Sequence, residues 1–146
     1  MANRPRRSGF TQAMEEGLRA DISPTELIKN LDQESLRGFL TQLMGRRNIS
    51  TDALAELAAL NRSSLYKILN GTTRQPQRNV LLRLALVLRL SFSETQELLY
   101  RGGRAALSGG RARDIIISDG VIKARSIAEV NERLEAHYFP DLYSKE

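Results

Sequence analysis

A chain of 146 residues with 41% apolar composition can build one packed core with an extension, and its lack of Cys excludes disulfides and thiolate metal sites. Trp is absent and aromatics make up 5%, so aliphatic side chains, Leu above all, must fill that core, and the Leu, Ala and Arg mixture favours helix over strand. The net charge of +5 is not spread evenly. It falls within residues 46–83, where Arg46, Arg47, Arg62, Lys67, Arg74, Arg78 and Arg83 face only Asp52 and Glu56; basic and acidic residues balance on either side. A polyanion would be drawn to that block first.

Residues 1–13, with Arg4, Pro5, Arg6, Arg7, Ser8 and Gly9, read as a disordered basic arm. Ser23-Pro24-Thr25-Glu26 is a helix start, with Ser as N-cap, Pro at the first helical position and Glu at the third; Leu27, Ile28 and Leu31 form its apolar face. A longer helix is predicted from about Gln33 to Asn48, because Leu36, Phe39, Leu40, Leu43 and Met44 repeat at three- and four-residue steps. A second helix start follows at Ile49-Ser50-Thr51-Asp52, with Leu54, Ala55, Leu57, Ala58 and Leu60 behind it. Asn61 caps a third helix, Arg62 to Leu69, which Asn70-Gly71 ends, Gly71 supplying the left-handed residue.

Residues 72–77 form a loop, and Arg78 to Leu90 is the apolar central helix. Ser93 is the expected cap of a helix carried by Glu94 to Tyr100. Residues 101–113 (RGGRAALSGGRAR) read as a Gly/Arg-rich linker. Local propensity alone would make Ile115 to Ile117 a short strand. A repeat argues for helix instead. Residues 78–99 align without gaps on residues 113–134 at an offset of 35, matching Arg78 with Arg113, Ser91 with Ser126, Glu94 with Glu129 and Leu99 with Leu134. The C-terminal region 114–146 is therefore predicted to be a second helical hairpin.

Within residues 51–71 the apolar Leu54, Ala55, Ala58, Leu60, Leu65 and Ile68 fall where two helices crossing at a tight turn must touch. The polar Arg62, Ser63, Ser64, Tyr66, Lys67 and Asn70 lie on the other face. With the Leu54-Ala55 pair, Asn61, Ser63-Ser64-Leu65, Ile68, Asn70-Gly71, Pro76 and the apolar helix to Leu90-Ser91, residues 36–90 resemble the phage-repressor (lambda repressor/Cro, XRE-type) helix-turn-helix family. One departure is Ala59, which stands where the family usually has Gly in the turn; a left-handed Ala59 costs roughly 1 kcal/mol. The extension after Arg111 resembles that of a subset of uncharacterised bacterial members, which implies no activity.

The resemblance implies an all-α, lambda-repressor-like bundle over residues 14–100, with the C-terminal hairpin added. It implies a sequence-specific regulator of transcription, a repressor, that binds double-stranded DNA as a cytoplasmic homodimer. By position it puts Arg62, Ser63, Tyr66 and Lys67 at base edges and Ser50, Thr51, Asn61, Asn70, Arg74 and Gln77 on phosphates. The alternative is a protein-interaction module, of antitoxin or adaptor kind, on the same fold.

No catalysis, cofactor, metal or membrane contact is expected. There is no Gly-rich phosphate loop, nucleophile elbow or metal-ligand spacing. The sole His, His137, reads as a structural residue on a terminal helix, and Glu94/Glu97 and Glu129/Glu132 begin helices, where the dipole favours them.

Overall fold

In the computed structural model the described residues are 7–28 and 35–146, with side chains from Thr11 onward. Arg4, Pro5, Arg6, Leu31 and Gln33 of the readings above lie outside them. The chain divides into two compact units, residues 1–35 and 36–146. In the first, helix α1 (Arg7–Arg19) runs where a disordered arm was expected to continue to residue 13. Residues 24–28 are helical, and Ser23 Oγ accepts the Glu26 amide at 3.2 Å, as the sequence predicts. Gly17 is buried, and a Cβ there would stand 3.1 Å from Leu27 Cδ2.

The second unit holds seven helices: α2 (Leu36–Arg47), α3 (Thr51–Leu57), α4 (Arg62–Leu69), α5 (Arg78–Val87), α6 (Phe92–Arg101), α7 (Ala112–Ile122) and α8 (Ile127–Ala136). No strand occurs among the described residues. At Ile115, Ile116 and Ile117 the side chains pass from exposed through half-buried to fully buried, as a helix turning 100° per residue requires. One continuous core runs from Leu36 to Leu142, with Leu40, Leu54, Leu65, Leu81, Leu84, Leu98, Ile117 and Leu134 completely enclosed.

Tight reversals join these helices with few glycines. Besides Gly71, six residues in this unit past helix ends have left-handed backbones and share one geometry: Asn48, Ala59, Arg89, Gly103, Ala124 and Tyr138. At Ala59 (φ 56°) the Ala59 amide donates to Glu56 O at 3.2 Å and the Leu60 amide to Ala55 O at 2.8 Å, the paired bonds of a Schellman turn. The same two bonds recur at each of the others. Replacing Ala59 by Gly is expected to stabilise the fold by about 0.5 kcal/mol, strain relief of about 1 kcal/mol being partly offset by the looser unfolded chain. A urea midpoint that falls on this substitution would refute the strain.

The sequence repeat is present in three dimensions and extends beyond its aligned residues. Arg89 and Ala124 occupy equivalent left-handed positions, and so do Gly103 and Tyr138. Ser91 and Ser126 form equivalent capping boxes with Glu94 and Glu129. The cap of α6 is thus Ser91, not Ser93, which lies inside the helix. Arg78 donates to the carbonyls of Ala105 and Ala106 at 2.9 and 3.0 Å; 35 residues later, Arg113 donates to those of Pro140 and Asp141 at 2.9 and 3.2 Å. Gln96 Oε1 accepts the Leu107 amide at 2.8 Å, and Asn131 Oδ1 accepts the Leu142 amide at the same distance.

The copies are stapled together. Arg78 forks onto Asp114 with two 2.9 Å bonds, and Arg113 returns a 3.1 Å bond to Asn79. Burial raises the Asp114 pKa, but the hydrogen bonds from Arg78 and the Ser108 amide outweigh it and hold the carboxyl below its usual value.

These bonds tie residues 104–107, within the expected Gly/Arg-rich linker, to the helices beside them. Leu107 is buried, and Gly102 is a contact point where a Cβ would stand 2.5 Å from Leu81 Cδ1. The hairpin is part of the 36–146 unit rather than a separate piece. Its last residues also reach the centre. The Glu146 carboxylate accepts the first two amides of α5, from Arg78 and Asn79, and Asn79 Nδ2 donates to Ser144 O at 2.9 Å. Buried Arg83 donates to Ala58 O at 2.8 Å and also to Leu142 O, and its guanidinium lies 5.6 Å from the Tyr143 ring centroid.

Candidate nucleic-acid interface

Helices α3 and α4 meet through small and branched apolar side chains. Leu54, Ala55, Ala58, Leu65 and Ile68 are all buried, and the two alanines let the helices approach closely. Ser50 caps α3, its Oγ accepting the Ala53 amide at 3.1 Å. Asn61 stands at the N-cap of α4 but makes no side-chain cap bond, so its amide group remains available to another partner. Gly71 (φ 84°) closes α4, with the Gly71 amide on Ile68 O at 3.3 Å and the Thr73 amide on Lys67 O at 2.9 Å.

With Leu65 and Ile68 facing the core, the opposite face of α4 presents Arg62, Ser63, Tyr66 and Lys67, all exposed. Their steps of one, three and one residues place them on a single stripe about two turns long. Ser64 and Asn70 are also exposed. Of the residues assigned to phosphates, Ser50, Asn61, Asn70, Arg74 and Gln77 are exposed and Thr51 is half-buried. They cluster at the start of α3, both ends of α4 and the loop before α5. Asn70 is partly committed: its Oδ1 accepts the Thr72 amide at 2.9 Å and its carbonyl accepts Arg37 Nη1 at 3.4 Å.

The basic block does not act as one surface. Arg78 and Arg83 are internal, serving the staple to Asp114 and the bridge between Ala58 and Leu142. Arg46 pairs with Glu94, and Arg47 Nε donates to Leu88 O at 2.7 Å. The Ser91 amide, more than Arg46, holds the Glu94 pKa below its ordinary value. Arg62, Lys67 and Arg74 remain as exposed cations on and beside α4.

Two contacts were not legible in the sequence. Arg37, on α2, reaches the C-terminal end of α4. Asp52, on α3, accepts a 2.9 Å bond from Arg62 Nε. Both pairs join different helices at separations of 33 and 10 residues, which no helical periodicity marks.

Two crossed helices, a tight turn and a polar stripe on the second define a helix-turn-helix domain in an all-helical fold. Residues 40–97 match the family model of the Cro/C1-type HTH DNA-binding domain, which is consistent with the lambda-repressor-like helix-turn-helix family. No curated protein and no solved structure matches the chain. The chain thus carries a DNA-binding domain of the kind found in transcription regulators, a family that is typically non-enzymatic. Among the described residues no helix is long and apolar enough to cross a membrane, and no group of three or more His, Asp or Glu is placed to hold a metal ion.

Proposed function

We propose that the protein is a sequence-specific regulator of transcription that reads duplex DNA with α4 and represses by occupying its site. The observation that carries this reading is the exposed stripe of Arg62, Ser63, Tyr66 and Lys67, backed by fully or nearly fully buried Leu65 and Ile68. A helix held so firmly from behind can enter a major groove without rearranging. Arg62 pairs with guanine O6 and N7, Tyr66 contacts a thymine methyl, and Ser63 and Lys67 reach neighbouring edges. Ser50, Thr51, Asn61, Asn70, Arg74 and Gln77 hold the phosphates, helped by the N-terminus of α3. Such a protein works in the cytoplasm, where its DNA lies.

One recognition helix covers too few base pairs for strong discrimination, so the working form is a homodimer on two half-sites. The C-terminal hairpin offers little to a dimer interface at Val121, Ile127, Val130 and Leu134, which are consumed within the chain. Ile115 and Ile122, seven residues apart on α7 and 53% and 67% exposed, remain available.

Selection from random duplexes tests the whole reading. The chosen sequences are expected to contain two inverted half-sites about 10 base pairs apart, centre to centre. Arg62→Ala is expected to erase preference at one base position, costing about 1–3 kcal/mol on the chosen site, while Arg74→Ala weakens all duplexes nearly equally. Equal losses on chosen and random DNA for Arg62→Ala would make it a phosphate contact. An unpaired half-site would remove the dimer.

The second reading, a protein-interaction module, draws on Leu57 and Tyr66, which are 60% and 47% exposed at the helix-turn-helix. A partner protein would cover them. Binding to duplex DNA that survives only at very low salt, with no preferred sequence, is what that reading expects.

A further inference from the structure

A carboxylate is an odd neighbour for a surface that binds phosphates. Asp52 is one of two acidic residues in the block 46–83, and it is exposed in the first turn of α3. The helix dipole favours an acidic residue there, and that alone would explain it. The geometry adds a second role. Asp52 Oδ1 accepts Arg62 Nε at 2.9 Å, from the helix before the recognition helix. The bond uses Nε alone, so Nη1 and Nη2 have no partner among the described residues.

Those two nitrogens form the fork that matches guanine O6 and N7. A partner on Nε fixes the plane of the guanidinium and the direction of the fork. It also removes, before DNA arrives, part of the side-chain freedom that binding must otherwise suppress. The pair contributes little to folding, because its side chains are 70% and 53% exposed.

We infer that Asp52 is a specificity-determining positioning residue: it aims Arg62 at a guanine edge while its own charge lowers affinity for DNA of any sequence. This rests on the reading of Arg62 as a base-reading residue. It has a signature of two opposite signs. Removing the carboxylate takes a repulsive charge away from the phosphates, so non-specific binding tightens. The same change frees the guanidinium, so discrimination falls.

The test uses the full chain, the duplex chosen from a random pool, and a scrambled duplex of the same length and composition. Asp52→Ala is expected to bind the scrambled duplex more tightly than the unaltered protein does. The ratio of chosen to scrambled affinity is expected to drop about fivefold or more. In an Arg62→Ala background the same substitution is expected to leave that ratio unchanged, because the two residues act as one unit. Asp52→Asn, which keeps an acceptor oxygen without the charge, restores part of the ratio and keeps the tighter scrambled binding. A purely structural role moves both affinities together with the melting temperature. If Arg62→Ala lowers the ratio and Asp52→Ala does not, the positioning role is wrong and the base-reading role of Arg62 stands. If Arg62→Ala itself leaves the ratio unchanged, both are wrong.

Discussion

Truncation after Gly110 is expected to destroy the cooperative unfolding of the 36–146 unit. The deletion removes Ile117, Val121, Ile127, Val130, Leu134 and Leu142 from the common core. At roughly 1.5–3 kcal/mol for each buried aliphatic side chain, the loss is on the order of 10 kcal/mol, as large as the whole stability of an ordinary domain. Polar losses compound it. Arg78 loses the Asp114 carboxylate, Arg83 loses the Leu142 carbonyl, and the first amides of α5 lose Glu146. The helix-turn-helix is directly affected, because Arg83 also holds the Ala58 carbonyl at the end of α3. Circular dichroism during heating reads the outcome. A truncated chain that melts as sharply and as high as the full chain would show the hairpin to be an accessory. Asp114→Ala, a smaller lesion, should lower the melting temperature without abolishing the transition.

Duplex affinity should fall about a hundredfold between 50 and 200 mM salt if the protein neutralises about four phosphates, giving a log–log slope of roughly −3 to −4. The exposed Arg62, Lys67 and Arg74, with the N-terminus of α3, are the groups placed to do this. The seven cations counted from sequence overstate the number, because Arg78 is spent on Asp114 and Arg83 is buried. A slope near −5 would mean that Arg46 and Arg47 leave Glu94 and Leu88 O to join the interface. A flat response would remove the electrostatic basis of the proposed function.

Periodic features were the ones sequence reasoning could reach. The apolar stripes of α2, α4 and α5, the left-handed Gly71, the strain at Ala59 and the offset of 35 depend on near neighbours or on self-similarity. Side chains that act across the fold were not reachable. Arg78 and Arg83 read as part of a DNA-attracting block until the structure paired them inside the unit. Residues 101–113 read as a Gly/Arg-rich linker from composition, which does not reveal that Gly102 gives close approach to Leu81 or that Arg104 binds the carbonyls of Gln75 and Pro76. Ser93 reads as the cap because it directly precedes Glu94; the capping box settles on Ser91 because only its spacing puts Glu94 at the third helical position. The stripe on α4 was legible as a face, but not the carboxylate of Asp52 beside it.

The two tandem copies are not interchangeable. In the first, Leu84, Leu88 and Leu98 are buried, and α5 and α6 pack against α2 and α3 on one side and α7 and α8 on the other. Thirty-five residues on, the same positions hold Asp119, Lys123 and Arg133, and Asp119 pairs with Lys123 at 2.7 Å and with Arg125 at 3.3 Å. A unit that kept leucine at all three places would carry a face matching the one its neighbour already uses, and copies could add head to tail without closing. The charged triplet gives the second copy a polar surface at the three places where the first is packed.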